Sequence, residues 1–371
     1  MNNRTHFLTR SRVAIDCTHF IKGKSGGFES FLMNLLTGIK DSNSTDRYVL
    51  YVLASQVNHF DSFANAFEIK TVPLNSAILR ILWQNTLLTA YSLFYRVIVF
   101  PANFRPWFCA CNSLTVIHDL QYIHYPTYWT RSMLLYRQLF MPLSIRKSDT
   151  TIAISNSVKN EISSHFPKYV SRLEVIYNAI AVDRPDPKDA SERPPSVHGD
   201  RFFLIPSALL RHKNIANLVR AIDVVYEQSM DTHFVFTGPY DKAEFKYERV
   251  PENCTVLGYV DKTELGRLYA NALGILLPSV YEGFGMPYIE AILANKAIIA
   301  SDIPIARELL GEYATYIKAP YSVEQIAEAI LRFKNGERMF MPAEYRERLV
   351  NSTRPIHVAR QYISEINQLA R

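Results

Sequence analysis

The sequence predicts an α/β protein made of two doubly wound, Rossmann-like parallel-sheet domains. Three observations carry this. Short apolar runs alternate with segments of helical period in both halves of the chain. A stretch at 182–199, rich in proline, charge and small polar residues and without apolar period, separates the halves as a linker. The chain has 371 residues, 48% of them hydrophobic, which is enough for two cores.

In the first half, Arg12–Asp16 reads as a strand. The loop after it carries Gly26 and Gly27, and Phe28–Ile39 has helical spacing. Strand, Gly-Gly, helix is the layout of a phosphate-approaching loop at the carboxyl end of a parallel sheet, although Gly-Gly is as often a plain turn. Tyr48–Leu53, Val97–Phe100 and Leu114–Ile117 are further strands. The last ends in His118-Asp119, at a sheet edge where ligands bind; a helix cap or loop bond is the competing role for Asp119. Between Tyr122 and Lys147, aromatics alternate with Arg131, Arg137, Arg146 and Lys147, and no acidic residue occurs. This stretch reads either as a surface for an anionic membrane or as an amphipathic helix packed on the sheet. Thr150–Ser155 is a strand, and Asn156 opens a helix.

The second half starts with a strand at Phe202–Ile205, a loop PSALLRHKN, and a helix at Ile215–Tyr226. His233–Thr237 and Cys254–Leu257 are strands, the latter followed by Gly258 and Tyr259. Lys262–Ala272 is a helix, and Leu273–Leu277 is a buried strand that Pro278 ends. Gly283 and Gly285 then make a turn in which backbone can approach a ligand, and Pro287 suits the first helical position before Tyr288–Leu293. Free N–H groups and the helix dipole make this turn an anion site. Glu282 and Glu290 beside it would repel bare phosphate, but ionised carboxylates are strong acceptors for hydroxyls. A nucleotide sugar offers both diphosphate and hydroxyls. Ala297–Ser301 is a strand, and Val323–Phe333 and Ile356–Leu369 are amphipathic helices.

The segment SVYEGFGMPYIEA resembles the E-x7-E signature of the retaining GT-B glycosyltransferases, glycosyltransferase family 4 in particular. Glu282 and Glu290 stand with seven residues between them around a glycine core. The resemblance implies two Rossmann-like domains facing a central cleft: 1–181 on the acceptor side, 200–352 for the nucleotide sugar, and a last helix at 353–371 crossing back. It implies that Glu282 and His118, with Asp119, act at the transferred sugar. It places Gly26, Gly27, Ser207, Arg211, Lys213, Gly258, Tyr259, Gly283, Phe284, Gly285, Met286 and Glu290 around the donor. In this reading Lys213 grips the diphosphate, Glu290 the ribose, and the Gly258-Tyr259 turn the nucleobase. The chain departs from the family pattern in three places. Ser207 stands where arginine is usual, and Arg211 is offered as the second cation. Ala179 replaces a glycine, and Ala294–Ala297 lacks the usual glycine and proline.

The net charge of +6 favours anionic partners, and no nucleic-acid signature accompanies it. Cys17, Cys109, Cys111 and Cys254 form no CxxC pair and have no histidine at zinc spacing, so they read as reduced thiols of a cytoplasmic protein. The N-terminal stretch has no apolar core of a signal peptide. No DxD motif occurs, and the expectation is a metal-independent hexosyltransferase without cofactor. Its acceptor would be a saccharide or lipid-linked saccharide for surface polysaccharide, with the enzyme peripheral on the inner membrane face. Two other classes compete: a glycoside hydrolase using Glu282 and Glu290 as its carboxylate pair, and a non-catalytic GT-B scaffold.

Overall fold

The first unit's central residues, on strands and helices alike, are apolar and fully enclosed, and the parallel sheet explains why: helices cover both faces. The computed structural model describes residues 12–23, 26–181, 201–206, 210–238 and 251–369. The expected linker at 182–199 and Ser207 lie outside the described residues. The chain divides into two compact units, Met1–Ala181 with Asn351–Arg371, and Val182–Val350.

The first unit holds strands β1 (Arg12–Asp16), β2 (Arg47–Leu53), β3 (Glu68–Val72), β4 (Val97–Phe100), β5 (Asn112–Ile117), β6 (Thr150–Ala153) and β7 (Leu173–Val175). They form one sheet in the order β3-β2-β1-β4-β5-β6-β7. All of its pairings are parallel. Its helices include α1 (Gly27–Asp41), α2 (Ala77–Trp83), α3 (Arg131–Lys147) and α4 (Asn156–His165). The helix near the chain's end, Pro355–Gln368, lies in this unit against α1. Gly38 permits the close approach, because a Cβ there would collide with the Pro355 carbonyl.

The second unit has β8 (Phe202–Pro206), β9 (His233–Thr237), β10 (Cys254–Gly258), β11 (Gly274–Leu277), β12 (Ile298–Ser301) and β13 (Thr315–Ile317). Their order is β10-β9-β8-β11-β12-β13, again parallel throughout. Helices α5 (Ile215–Gln228), α6 (Lys262–Asn271), α7 (Met286–Leu293), α8 (Pro304–Leu310) and α9 (Val323–Lys334) cover it. Phe203, Ile222, Phe234, Leu276, Ile330 and Phe333 fill its core.

Both sheets are therefore doubly wound, and in each the winding reverses beside the first strand, between β1 and β4 or between β8 and β11. In open parallel sheets such reversal points, at the carboxyl ends of strands, are where ligands bind. The strands that sequence patterning overlooks are β3, β7 and β13. Two are three residues long, and β3 is an edge strand with mostly part-exposed side chains, so none shows an apolar run.

Helix α7 starts at Met286, one residue before Pro287, which takes the second helical position. At the turn after α7, where the family pattern has glycine, Asn295 adopts a left-handed φ of 53°. Asparagine tolerates that region better than other side chains, so the turn keeps its shape without glycine.

Candidate functional site

In the second unit two loops meet at the carboxyl ends of β8 and β11. The first is a short 3-10 turn, Arg211–Lys213, closed by Asn214 in a left-handed conformation before α5 starts. The second runs from Pro278 to Gly285. The Val280 amide donates to the His212 carbonyl at 2.8 Å and ties the loops together.

Their junction is ionic. Lys213 Nζ lies 2.5 Å from Glu282 Oε1, and both side chains are only 12% exposed. Ser279 donates to the same Glu282 oxygen at 2.7 Å. Burial alone would push the Glu282 carboxyl up, but the Lys213 and His212 charges and the two hydrogen bonds outweigh it and hold it below the usual glutamate range. Arg211 is exposed on the same turn.

Glu290 faces the opposite balance. Burial raises its carboxyl above the ordinary value, against the Tyr269 hydroxyl bond and the charge of Lys213. Tyr269 donates to Glu290 Oε2 at 2.7 Å, and Oε1 takes no hydrogen bond from a described residue. One carboxylate oxygen is thus fixed and the other is left to accept. Gly285 has φ 76° and caps α7; a Cβ there would lie 2.5 Å from the Tyr288 ring. Phe284 is buried beneath the turn, while Met286 and Gly283 are half-buried. Gly258, at the end of β10, has φ 70° with open space where a Cβ would stand, and Tyr259 beside it is 79% exposed. The second unit thus gathers Arg211, Lys213, Gly258, Tyr259, Glu282, the glycine turn and Glu290 at the carboxyl ends of its strands.

The first unit presents its own edge. Gly26 precedes α1 with φ 52°, and the amides of Gly27 and Phe28 open that helix. Glu29 accepts from the Gly23 amide at 2.9 Å and from Lys22 at 2.5 Å, so the loop is tied to the first turn of α1. His118, at the end of β5, lies edge-on to Phe31 with ring centres 4.9 Å apart, and its Nε2 is 2.7 Å from the Pro101 carbonyl. A carbonyl only accepts, so Nε2 carries the proton and Nδ1 is the acceptor. Burial lowers the His118 pKa, against the Pro101 bond, so the ring is neutral at physiological pH. Asp119 accepts from the Gln121 amide at 3.1 Å, an Asx turn just ahead of the short helix Gln121–His124, whose N-cap is Leu120.

The basic aromatic stretch divides. Arg131, Arg146 and Lys147 are exposed on α3. Arg137 is not available to a bilayer: its guanidinium carbon lies 3.8 Å from the centre of the Trp129 ring. Stacking against an aromatic face suits a weakly hydrated guanidinium better than water does.

Sequence reasoning missed Ser279 and Tyr269, which hold the two glutamates. Ser279 stands three residues before Glu282, a local spacing that could have been read. Tyr269 comes from α6, and nothing in the sequence links it to Glu290.

The paired doubly wound sheets are the fold of the GT-B glycosyltransferases. Residues 187–355 match the family model described as glycosyl transferases group 1. It is 26% identical over 344 residues to the O-antigen chain mannosyltransferase RfbU of Salmonella typhimurium, covering 84% of this chain and 92% of that one. O-antigen chain mannosyltransferase B of Escherichia coli is 24% identical over 233 residues, 60% of this chain and 61% of that one. Among solved structures, Anabaena Alr3699/HepE in complex with UDP and glucose superposes with a TM-score of 0.71 at 15% identity, over 96% of this chain and 100% of that one. Among the described residues no helix is long and apolar enough to cross a membrane.

Proposed function

We propose that the chain is a retaining hexosyltransferase. It moves a mannose- or glucose-type sugar from a nucleoside-diphosphate donor to a saccharide or lipid-linked saccharide hydroxyl, in surface polysaccharide synthesis. The carrying observation is the Lys213–Glu282 pair at the reversal point of the second sheet, beside Glu290 with one oxygen unengaged. The name of the Salmonella relative supports mannosyl transfer, and the UDP and glucose bound to the Anabaena protein support a nucleotide-sugar donor.

In this reading the residues divide the leaving-group chemistry. As the diphosphate departs, negative charge builds on it. Lys213 has three N–H donors and gives one to Glu282; the others, with Arg211 and the amides at the start of α7, stabilise that charge. These groups take the role a divalent cation has in other transferases, and the reaction proceeds without one. Glu290 Oε1 accepts a ribose hydroxyl, and Tyr259 stacks on the base. In the first unit, the Gly26-Gly27 loop serves the diphosphate, and His118 Nδ1 accepts a sugar hydroxyl. Glu282, held ionised, stands near the transferred sugar, where oxocarbenium character develops.

A peripheral position on an anionic membrane face is part of the proposal. It is supported by large apolar side chains exposed on the first unit, among them Ile78, Leu93, Phe108 and Leu139, and by the exposed bases of α3.

The test is a native mass-spectrometric screen against GDP-mannose, UDP-glucose, UDP-galactose, UDP-N-acetylglucosamine and dTDP-rhamnose. One donor should bind and be consumed when acceptor is supplied. Binding without turnover over a panel of acceptors would favour a scaffold, and binding of none would contradict the proposal.

A further inference from the structure

Arg137 has no ion-pair partner among the described residues. Its guanidinium lies between the rings of Trp129, at 3.8 Å, and Phe104, at 5.7 Å. Its Nη1 and the indole Nε1 of Trp129 are both buried, and neither has a hydrogen-bond partner among the described residues. No carboxylate of those residues forms an ion pair with it. Asp119 is within electrostatic reach, yet its Oδ1 is engaged by the Gln121 amide. Arginine cannot shed its proton to escape this environment, although burial pulls its pKa down. A largely enclosed cation without a counter-charge is unfavourable, so the arrangement calls for an anion.

The neighbours agree. Tyr122 and Tyr136 both lie within electrostatic reach of Arg137. Burial pushes each phenol up to about 12, against the Arg137 charge, so both remain O–H groups. The groups around Arg137 are thus an indole N–H and two phenols, with the Asp119 carboxylate in reach and one of its oxygens already engaged; Arg80 and Asp16 act on Tyr136 as well. A group that only accepts hydrogen bonds fits this setting, and a neutral sugar hydroxyl does not require it. The position is also informative. Trp129 and α3 come after His118-Asp119, separated from the carboxyl end of β5 by the short helix Gln121–His124 and the turn Pro126–Tyr128.

We propose that Arg137 and Trp129 form a subsite for an anionic group carried by the acceptor, a phosphate ester or a carboxylate. This rests on the glycosyltransferase reading, because it assigns the anion to the acceptor rather than to the donor. The guanidinium fork pairs with two oxygens of the group, and the indole N–H takes a third contact.

The test titrates two probes separately by calorimetry: inorganic pyrophosphate for the phosphate source and glucuronate for the acidic-sugar source. The Lys213→Ala background removes the donor-phosphate cation from the readout. One probe should bind, and adding Arg137→Gln should weaken it at least tenfold. Arg137→Lys should fall between, having charge without the fork, and Trp129→Phe should lose a few-fold while keeping the ring. If Arg137→Gln does not fold by circular dichroism, the last two variants carry the comparison. Preference for pyrophosphate assigns a phosphate-bearing acceptor, and preference for glucuronate an acidic sugar. Binding of neither probe, or equal binding to every variant, would overturn the subsite. Nucleoside-diphosphate binding to the wild type, measured in parallel, separates this outcome: its absence would count against the glycosyltransferase reading, whereas its presence without probe binding would count against the subsite alone.

Discussion

The two sheet edges handle charge differently. At the second unit's edge the buried charges of the candidate site have protein partners: Lys213 and Glu282 hold each other, and Tyr269 holds Glu290. At the first unit's edge His118 is neutral, and Arg137 has rings around it but no ion-pair partner among the described residues. A pre-paired site can keep its geometry empty and must exchange partners when a ligand arrives. An unpaired one gains its counter-charge from the ligand. The two glutamates repeat the contrast within one unit, since neighbouring charges hold one down and burial pushes the other up.

The largest expected effect comes from breaking the ion pair. Lys213→Ala leaves Glu282 mostly buried without its cation and should cost about 3 kcal/mol of stability in denaturant unfolding. Adding Glu282→Gln should recover most of that loss, because it removes the stranded charge. If the double variant is no more stable than the single one, the pair does not hold the two loops together.

Gly285→Ala comes next. A left-handed φ and a Cβ driven into the Tyr288 ring should together cost about 2–3 kcal/mol, read as a lowered Tm. Gly258→Ala has only the backbone conformation to oppose it and should cost about 1 kcal/mol. Equal losses would mean that the α7 turn is not sterically defined by Tyr288.

Glu290→Gln should weaken donor binding by about 1.5 kcal/mol, a lost charged hydrogen bond. Its effect on stability has the other sign. Because the folded state raises the Glu290 pKa, ionising this group costs stability as pH rises through the unfolded value toward the folded one, so glutamine should be neutral or stabilising at pH 7. Glu282 is depressed, so its contribution is complete above the unfolded glutamate value and is lost as pH falls through the folded one. Donor affinity should begin to fall at a higher pH than stability does. Coincident profiles would erase the distinction between the two carboxylates.

His118→Ala should lower turnover about tenfold, the scale of one hydrogen bond, with nucleoside-diphosphate affinity unchanged. Full turnover would make the histidine a packing residue against Phe31. The smallest effect concerns the membrane. Arg131, Arg146 and Lys147 should each add up to about 1 kcal/mol of attraction to anionic vesicles at low salt. Sedimentation should show binding to anionic but not neutral vesicles, released as salt rises. No such difference would remove electrostatic docking from the account.

Most of the fold was legible because buried parallel strands write themselves as apolar runs: β1, β4 and β9 match their expected bounds residue for residue. The strands β3, β7 and β13 were hidden because two are only three residues long and β3 is mostly part-exposed, so none writes an apolar run. In the second unit the glycine turn and its glutamates were legible because they are contiguous in sequence. Tyr269 was not, since its contact with Glu290 exists only once α6 and α7 pack. Arg137 was left between two readings for the same reason. A basic residue in an aromatic stretch looks like a solvated one until Trp129 and Phe104 close on it.

The central claim is that the loops after β8 and β11 bind a nucleoside diphosphate with protein groups alone. Calorimetry in EDTA, with free GDP, UDP and dTDP, tests it on the wild type and Lys213→Ala. The account predicts that one nucleotide binds the wild type with metal removed and loses at least tenfold affinity in the variant, with circular dichroism confirming the fold. Binding that needs magnesium or manganese, or equal affinity in both proteins, would contradict it.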